Sequence, residues 1–107
     1  MRIAALDDEP LQLELIKRTM VSIGHECHTF DHGEALLREL RKETFDLLIL
    51  DWQLPDISGP DVVRWVRSNL DRRVPILFVT NRREERDIVE GLAAGADDFM
   101  VKPLRVA

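Results

Sequence analysis

A chain of 107 residues is enough for one domain that buries roughly two thirds of its unfolded surface. Its 45% hydrophobic and 33% charged residues exclude disorder of the low-hydrophobicity kind, and 15 Lys plus Arg against 20 Asp plus Glu, a net charge of -5, exclude a basic field able to hold a nucleic-acid backbone. The single cysteine, Cys27, excludes an internal disulfide and fits a cytoplasmic setting, and neither the opening "MRIAAL" nor any later stretch has the uninterrupted apolar length of a signal peptide or membrane span. In chain order, "RIAAL" (2–6) predicts a buried strand, and Pro10 opens a helix along which Leu11, Leu15, Ile16, Thr19, Met20 and Ile23 recur, ended by Gly24. "HECHTF" (25–30) predicts a strand with one partly exposed face, and "HGEALLRELRKE" (32–43) a helix capped by Asp31 with Ala35, Leu36 and Leu40 on one side. "DLLILD" (46–51) is the most continuously apolar strand, as burial on both faces requires. "GPDVVRWVRSN" (59–69) predicts a helix with Val62, Val63 and Val66 inward, and "VPILFVT" (74–80) a fourth strand. "RREERDIVEGLAAGA" (82–96) predicts a helix with Ile88, Val89, Leu92 and Ala93 inward, ended near Gly95, and "DDFMV" (97–101) a fifth strand. Short connections and alternating elements predict an α/β fold with an open, doubly wound parallel sheet.

In such sheets ligands bind at the carboxyl ends of the strands. The first strand ends in Asp7 and Asp8, the third in Asp51, the fourth in Thr80 and the fifth in Lys102 followed by Pro103. Taken singly, each has a structural reading: Asp8 as a helix cap, Asp51 as a turn former before Pro55, Thr80 as a cap of the next helix, Lys102 as a solvated lysine. Together they bring three carboxylates, a hydroxyl and an ammonium to one edge. Clustered carboxylates repel unless a cation neutralises them. Asp8, Asp51 and a backbone oxygen just after Asp51 offer the few oxygen ligands that Mg²⁺ takes, with Asp7 acting through a coordinated water. Lys102 and Thr80 beside that ion would make a phosphoryl environment.

"LDDEP", "LILDWQLPDISG", "ILFVT" and "GADDFMVKP", in that order, resemble the receiver domain of two-component response regulators from Arg2 to about Leu104. The resemblance implies a five-stranded sheet of order 2-1-3-4-5 in a (βα)5 fold, with residues 1–107 one receiver domain whose fifth helix is missing or truncated. It implies Asp51 as phosphoacceptor, with Mg²⁺, for which Mn²⁺ can substitute, held by Asp7, Asp8, Asp51 and the Gln53 carbonyl. Thr80 and Phe99 correspond to the switch hydroxyl and aromatic, Lys102 to the phosphoryl-binding lysine, and the Lys102–Pro103 step to the family's cis peptide. Gln53 and Arg82 flank the path of attacking water in the family, so they are expected to set the lifetime of the phosphoryl group. A sensor histidine kinase is the expected partner, without membrane contact, and homodimerisation through the fourth-helix and fifth-strand face is a family expectation. The chain is expected to be the N-terminal part of a longer transcriptional regulator, reaching DNA only through an output domain absent from this sequence.

Two rival functions differ in chemistry. A receiver-like interaction module independent of phosphorylation would not need the full set Asp7, Asp8, Asp51, Thr80 and Lys102. A dehalogenase-type phosphatase places its nucleophile near the chain start with a second Asp two positions on, where this chain has Gln53 after Asp51. Trp52 is expected to lie over the site edge as a partly exposed ring and Trp65 to pack beside the core. His25, His28 and His32 lack the paired spacing of a zinc site, and Cys27 is expected to be inert core.

Overall fold

The computed structural model describes residues 1–81 and 85–102 of the chain. Five strands, β1 (Arg2–Leu6), β2 (Glu26–Phe30), β3 (Leu47–Leu50), β4 (Ile76–Thr80) and β5 (Asp98–Val101), pair in parallel in the order β2-β1-β3-β4-β5. Between them run α1 (Pro10–Ser22), α2 (Gly33–Leu40), α3 (Gly59–Asn69) and α4 (Glu85–Ala94). β3 lies in the middle of the sheet, in register with β1 (Leu6 opposite Leu50) and β4 (Leu50 opposite Phe78). Its Leu48 and Leu50 are fully buried and Ile49 nearly so, because helices cover both faces and alternate side chains serve two cores.

The larger core joins Leu6, Leu48, Leu50 and Phe78 to Leu36, Leu37 and Leu40 of α2 and Val62, Val63 and Val66 of α3. The smaller joins Ile3, Ala5, Ile49 and Val79 to Ile16 of α1, with Cys27 buried among them. Burial pushes the Cys27 thiol up, away from the reactive thiolate.

Three expectations need correction. Asp31 does not cap α2: its carboxylate pairs with the His32 ring at 2.8 Å, and the first amides of α2 are taken by Asp56 from another loop. Val89, Leu92 and Ala93 of α4 are exposed, the first two at 57% and 43%. Among the described side-chain positions of α4 the buried ones are instead Asp87 and Gly91, so the helix meets the core on its least apolar-looking side. Trp52 is buried, its ring centroid 5.4 Å from that of Phe78 and 6.4 Å from that of Phe99. Trp65 is half-buried, with the Arg41 guanidinium 5.6 Å from its ring. Arg82, Pro103 and the start of any fifth helix lie outside the described residues.

Candidate functional site

The parallel register brings the ends of β1, β3 and β5 to one rim. Backbone bonds aim them: Asp7 N–H donates to the Phe30 carbonyl, Asp51 N–H to the Leu6 carbonyl, and Lys102 N–H to the Thr80 carbonyl at 2.8 Å. Immediately after Asp51 the chain doubles back. Gly59 N–H donates to the Trp52 carbonyl at 2.7 Å, and a Cβ at Gly59 would fall 2.5 Å from the Asp51 carbonyl oxygen and 2.9 Å from Trp52 Cα. Only glycine permits that approach, which seats the head of α3 directly behind Asp51.

Within this frame Asp7, Asp51, Thr80 and Lys102 are all buried. Lys102 Nζ lies 2.8 Å from Asp7 Oδ2, 3.3 Å from Asp51 Oδ2 and 3.3 Å from Glu9 Oε1. The other oxygens are already engaged by the backbone: Asp7 Oδ1 accepts from Glu9 N–H at 3.0 Å and Asp51 Oδ1 from Trp52 N–H at 2.7 Å. Asp51 Oδ2 is therefore the oxygen turned toward the cluster. Asp7, Asp8, Glu9 and Asp51 each offer a carboxylate oxygen within 4.8 Å of the others, Asp8 and Glu9 from the exposed side.

Four carboxylates around one ammonium leave excess negative charge. Burial, reinforced by the Asp51 charge, pushes the Asp7 carboxyl up to about 6 in spite of its bonds from Lys102 and the Glu9 amide. Burial also pulls the Lys102 ammonium down, but the carboxylates of Asp7 and Asp51 outweigh it and hold the amine above its ordinary value. A site whose own carboxyl resists ionisation is one that a hard divalent cation would relieve. Its oxygen-only donors suit Mg²⁺ better than softer metals. Among the described residues this is the one group of three or more acidic, His or Cys side chains placed to share an ion.

The structure thus brings Asp7, Asp8, Asp51 and Lys102 together. Thr80 is buried at the end of β4, where its carbonyl accepts from the Lys102 amide. Phe99 lies behind the rim, half-buried, with its ring centroid 6.0 Å from that of Phe78. Gln53 is exposed on the loop after β3. Glu9 was not anticipated as a partner of Lys102, although it is the third acid of an unbroken Asp7–Glu9 run. The three histidines sit elsewhere: His25 beside the Met1 amino group, His28 on Glu26 and His32 on Asp31. No helix among the described residues is long and apolar enough to cross a membrane.

A family model described as the response regulator receiver domain matches residues 3–107. The chain is 40% identical over 103 residues to the phosphate regulon transcriptional regulatory protein PhoB of Rhizobium meliloti, covering 95% of this chain and 45% of that protein. It is 36% identical over 105 residues to the two-component response regulator PhoP of Pseudomonas aeruginosa, covering 98% and 46%. The chain thus spans less than half the length of these curated relatives. Among solved structures, a putative response regulator from Chloroflexus aurantiacus superposes with a TM-score of 0.91 at 30% identity, over 97% of this chain and 86% of that one. The chemotaxis response regulator CheY4 of Vibrio cholerae does so with a TM-score of 0.91 at 30% identity, over 97% and 88%.

Proposed function

Because the chain belongs to the response regulator receiver family, we propose that it is a phosphorylation-dependent switch whose phosphoacceptor is Asp51. The observation that carries this reading is the meeting of Asp51 Oδ2, Asp7 Oδ2 and Glu9 Oε1 on Lys102 Nζ at 2.8–3.3 Å. Asp51 Oδ2 attacks the phosphorus of a phosphohistidine on a sensor kinase. The P–N bond breaks, the imidazole leaves with the electron pair and takes up a proton, and an aspartyl phosphate remains. Asp7, Asp8, Asp51 and the Gln53 carbonyl would hold Mg²⁺, or Mn²⁺ in its place. When bound, that ion spreads the charge of the transferring group and aligns it with the nucleophile. Lys102 turns from its carboxylate partners to the new phosphoryl oxygens. Thr80 donates its hydroxyl to another of them, and Phe99 follows into the space vacated, changing the surface of α4 and β5.

Residues 1–107 form the receiver part of a longer regulator, which acts on DNA through an output domain absent from this sequence. The cytoplasm is its setting, and phosphorylation favours a homodimer through the α4–β5 face. Gln53 and Arg82 set the lifetime of the phosphoryl group, so Gln53→Ala and Arg82→Ala change the dephosphorylation rate.

Incubation with Mg²⁺ and acetyl phosphate, followed by intact-mass analysis, tests the reading. One phosphoryl group per chain is expected, absent in Asp51→Asn. No uptake, or steady release of phosphate without a stable adduct, overturns it.

A further inference from the structure

The loop after Asp51 is fastened from outside its own element. Trp52 is tied back to Gly59, and Ser58 Oγ accepts from Asp61 N–H at the head of α3, so both feet of the arch 53–57 are set. The crown of the arch is held elsewhere. Asp56 Oδ1 accepts from Gly33 N–H and Asp56 Oδ2 from Glu34 N–H, both at 2.9 Å.

These two amides open α2, whose own flanking residue, His32, makes no side-chain cap. Amides of a first turn lack partners within their helix, and a preceding side chain ordinarily supplies them. Here a carboxylate more than twenty positions later does so, with both its oxygens. Partial burial works against the charged form of Asp56, but the amides of Glu34, Gly33, Asp56 and Ile57 together outweigh it and hold the carboxyl below its ordinary range. Ile57 adds an apolar stop by lying against Gly33, where a side chain would collide with it. The same arch carries Gln53, and bidentate pairing at its crown limits how far that residue's backbone can wander.

We propose that Asp56 is a positioning residue for the cation site: by gripping the first two amides of α2 it holds the arch in the shape that presents the Gln53 carbonyl. A ligand held in place loses little freedom when the ion arrives, whereas a loose one must be ordered at that moment. The proposal rests on the reading of the site given above.

The full chain carrying Trp65→Phe makes Trp52, next to Asp51, the sole indole, and its emission is titrated with Mg²⁺. Releasing the arch is expected to raise the Mg²⁺ dissociation constant about threefold in Asp56→Asn and about tenfold in Asp56→Ala, at the low end for an outer-shell change. At saturating Mg²⁺, phosphoryl uptake from acetyl phosphate stays within about twofold of the parent, as expected when a binding term alone is lost. Variants that melt earlier yet bind Mg²⁺ as tightly as the parent overturn the proposal, since Asp56 would then be only a helix cap. Should both variants fold poorly, the parent chain decides: reciprocity requires Mg²⁺ to slow hydrogen exchange at Gly33 and Glu34, and unchanged exchange overturns the proposal. A parent whose emission ignores Mg²⁺ and which takes up no phosphoryl group overturns the underlying site reading instead.

Discussion

At the level of single side chains, the site is held in tension by Asp7. Folding raises its proton affinity from the ordinary 3.8 to about 6. A carboxyl shifted in that direction contributes stability below its unfolded value and loses it as pH rises through its folded value. Without a divalent ion the protein should therefore lose stability as pH rises from about 4 to about 6. Asp7→Asn removes the charge and keeps the shape. It is expected to melt several degrees higher than the parent at pH 7 in chelator, where about 1 kcal/mol corresponds to roughly 4–8 °C in a domain near this size. The same variant should bind Mg²⁺ more weakly. A lower melting point at pH 7 would mean that the Lys102 pairing outweighs the burial of Asp7. Asp7, Asp51 and Thr80 are legible because each ends an apolar run whose burial sets where its last residue emerges, whereas Lys102 follows the largely exposed β5 and is legible from its place directly before Pro103 in "MVKP". Asp56 is not, because a carboxylate in "PDISG" reads equally well as any turn residue, and its partners lie on a different element.

Among the elements, α4 departs most from its pattern. Helical spacing finds the apolar stripe of Val89 and Leu92 but cannot say which side meets the sheet, and the true contact passes through a residue with no side chain. A Cβ at Gly91 would lie 3.0 Å from Trp52 Cζ3 and 3.2 Å from Phe78 Cδ2 and Cε2. Both neighbours are rigid buried rings, unable to turn aside as the end of a flexible chain would. Gly91→Ala gains about 1 kcal/mol of helix propensity and loses about 1–3 kcal/mol to overpacking. Loss should win, lowering stability by about 1 kcal/mol and changing Trp52 emission as α4 lifts. Trp52→Phe frees room at that contact, so the double variant should be more stable than the sum of the single effects, a coupling that a denaturant-unfolding cycle measures. Strict additivity would detach α4 from Trp52. The α3 end is fixed differently: Arg67 donates to the Gly95 and Val74 carbonyls and to Asp97, which also takes Arg73 and the Ile76 amide. The sequence does not reveal that network because Asp97 reads as the first residue of β5, whereas it stands just before it.

For the molecule as a whole, strand order and layers were readable because each apolar run is short, bounded and separated by a helix, which leaves few parallel topologies. The rim is where this consistency is deliberately broken: four carboxylates and one ammonium at the end of a tightly packed sheet, in a chain of net charge -5. Asp7 and Asp51 are buried directly after β1 and β3, which cannot move apart, so the folded state carries their repulsion and a cation that binds only the folded state would remove it. Linkage gives the size, about 2.7 kcal/mol when the free ion stands at a hundred times its dissociation constant. Mg²⁺ should accordingly raise the melting temperature well beyond NaCl at matched ionic strength, because screening weakens long-range repulsion but does not bridge oxygens within 4.8 Å of one another. Removing two of the offered ligands in Asp8→Asn with Asp51→Asn should abolish the difference between the salts while relieving part of the repulsion. That double variant is then expected to start higher than the parent in chelator and to gain no more from Mg²⁺ than from NaCl. Equal protection of the parent by the two salts would mean that the rim is an ordinary acidic surface, stabilised by screening alone.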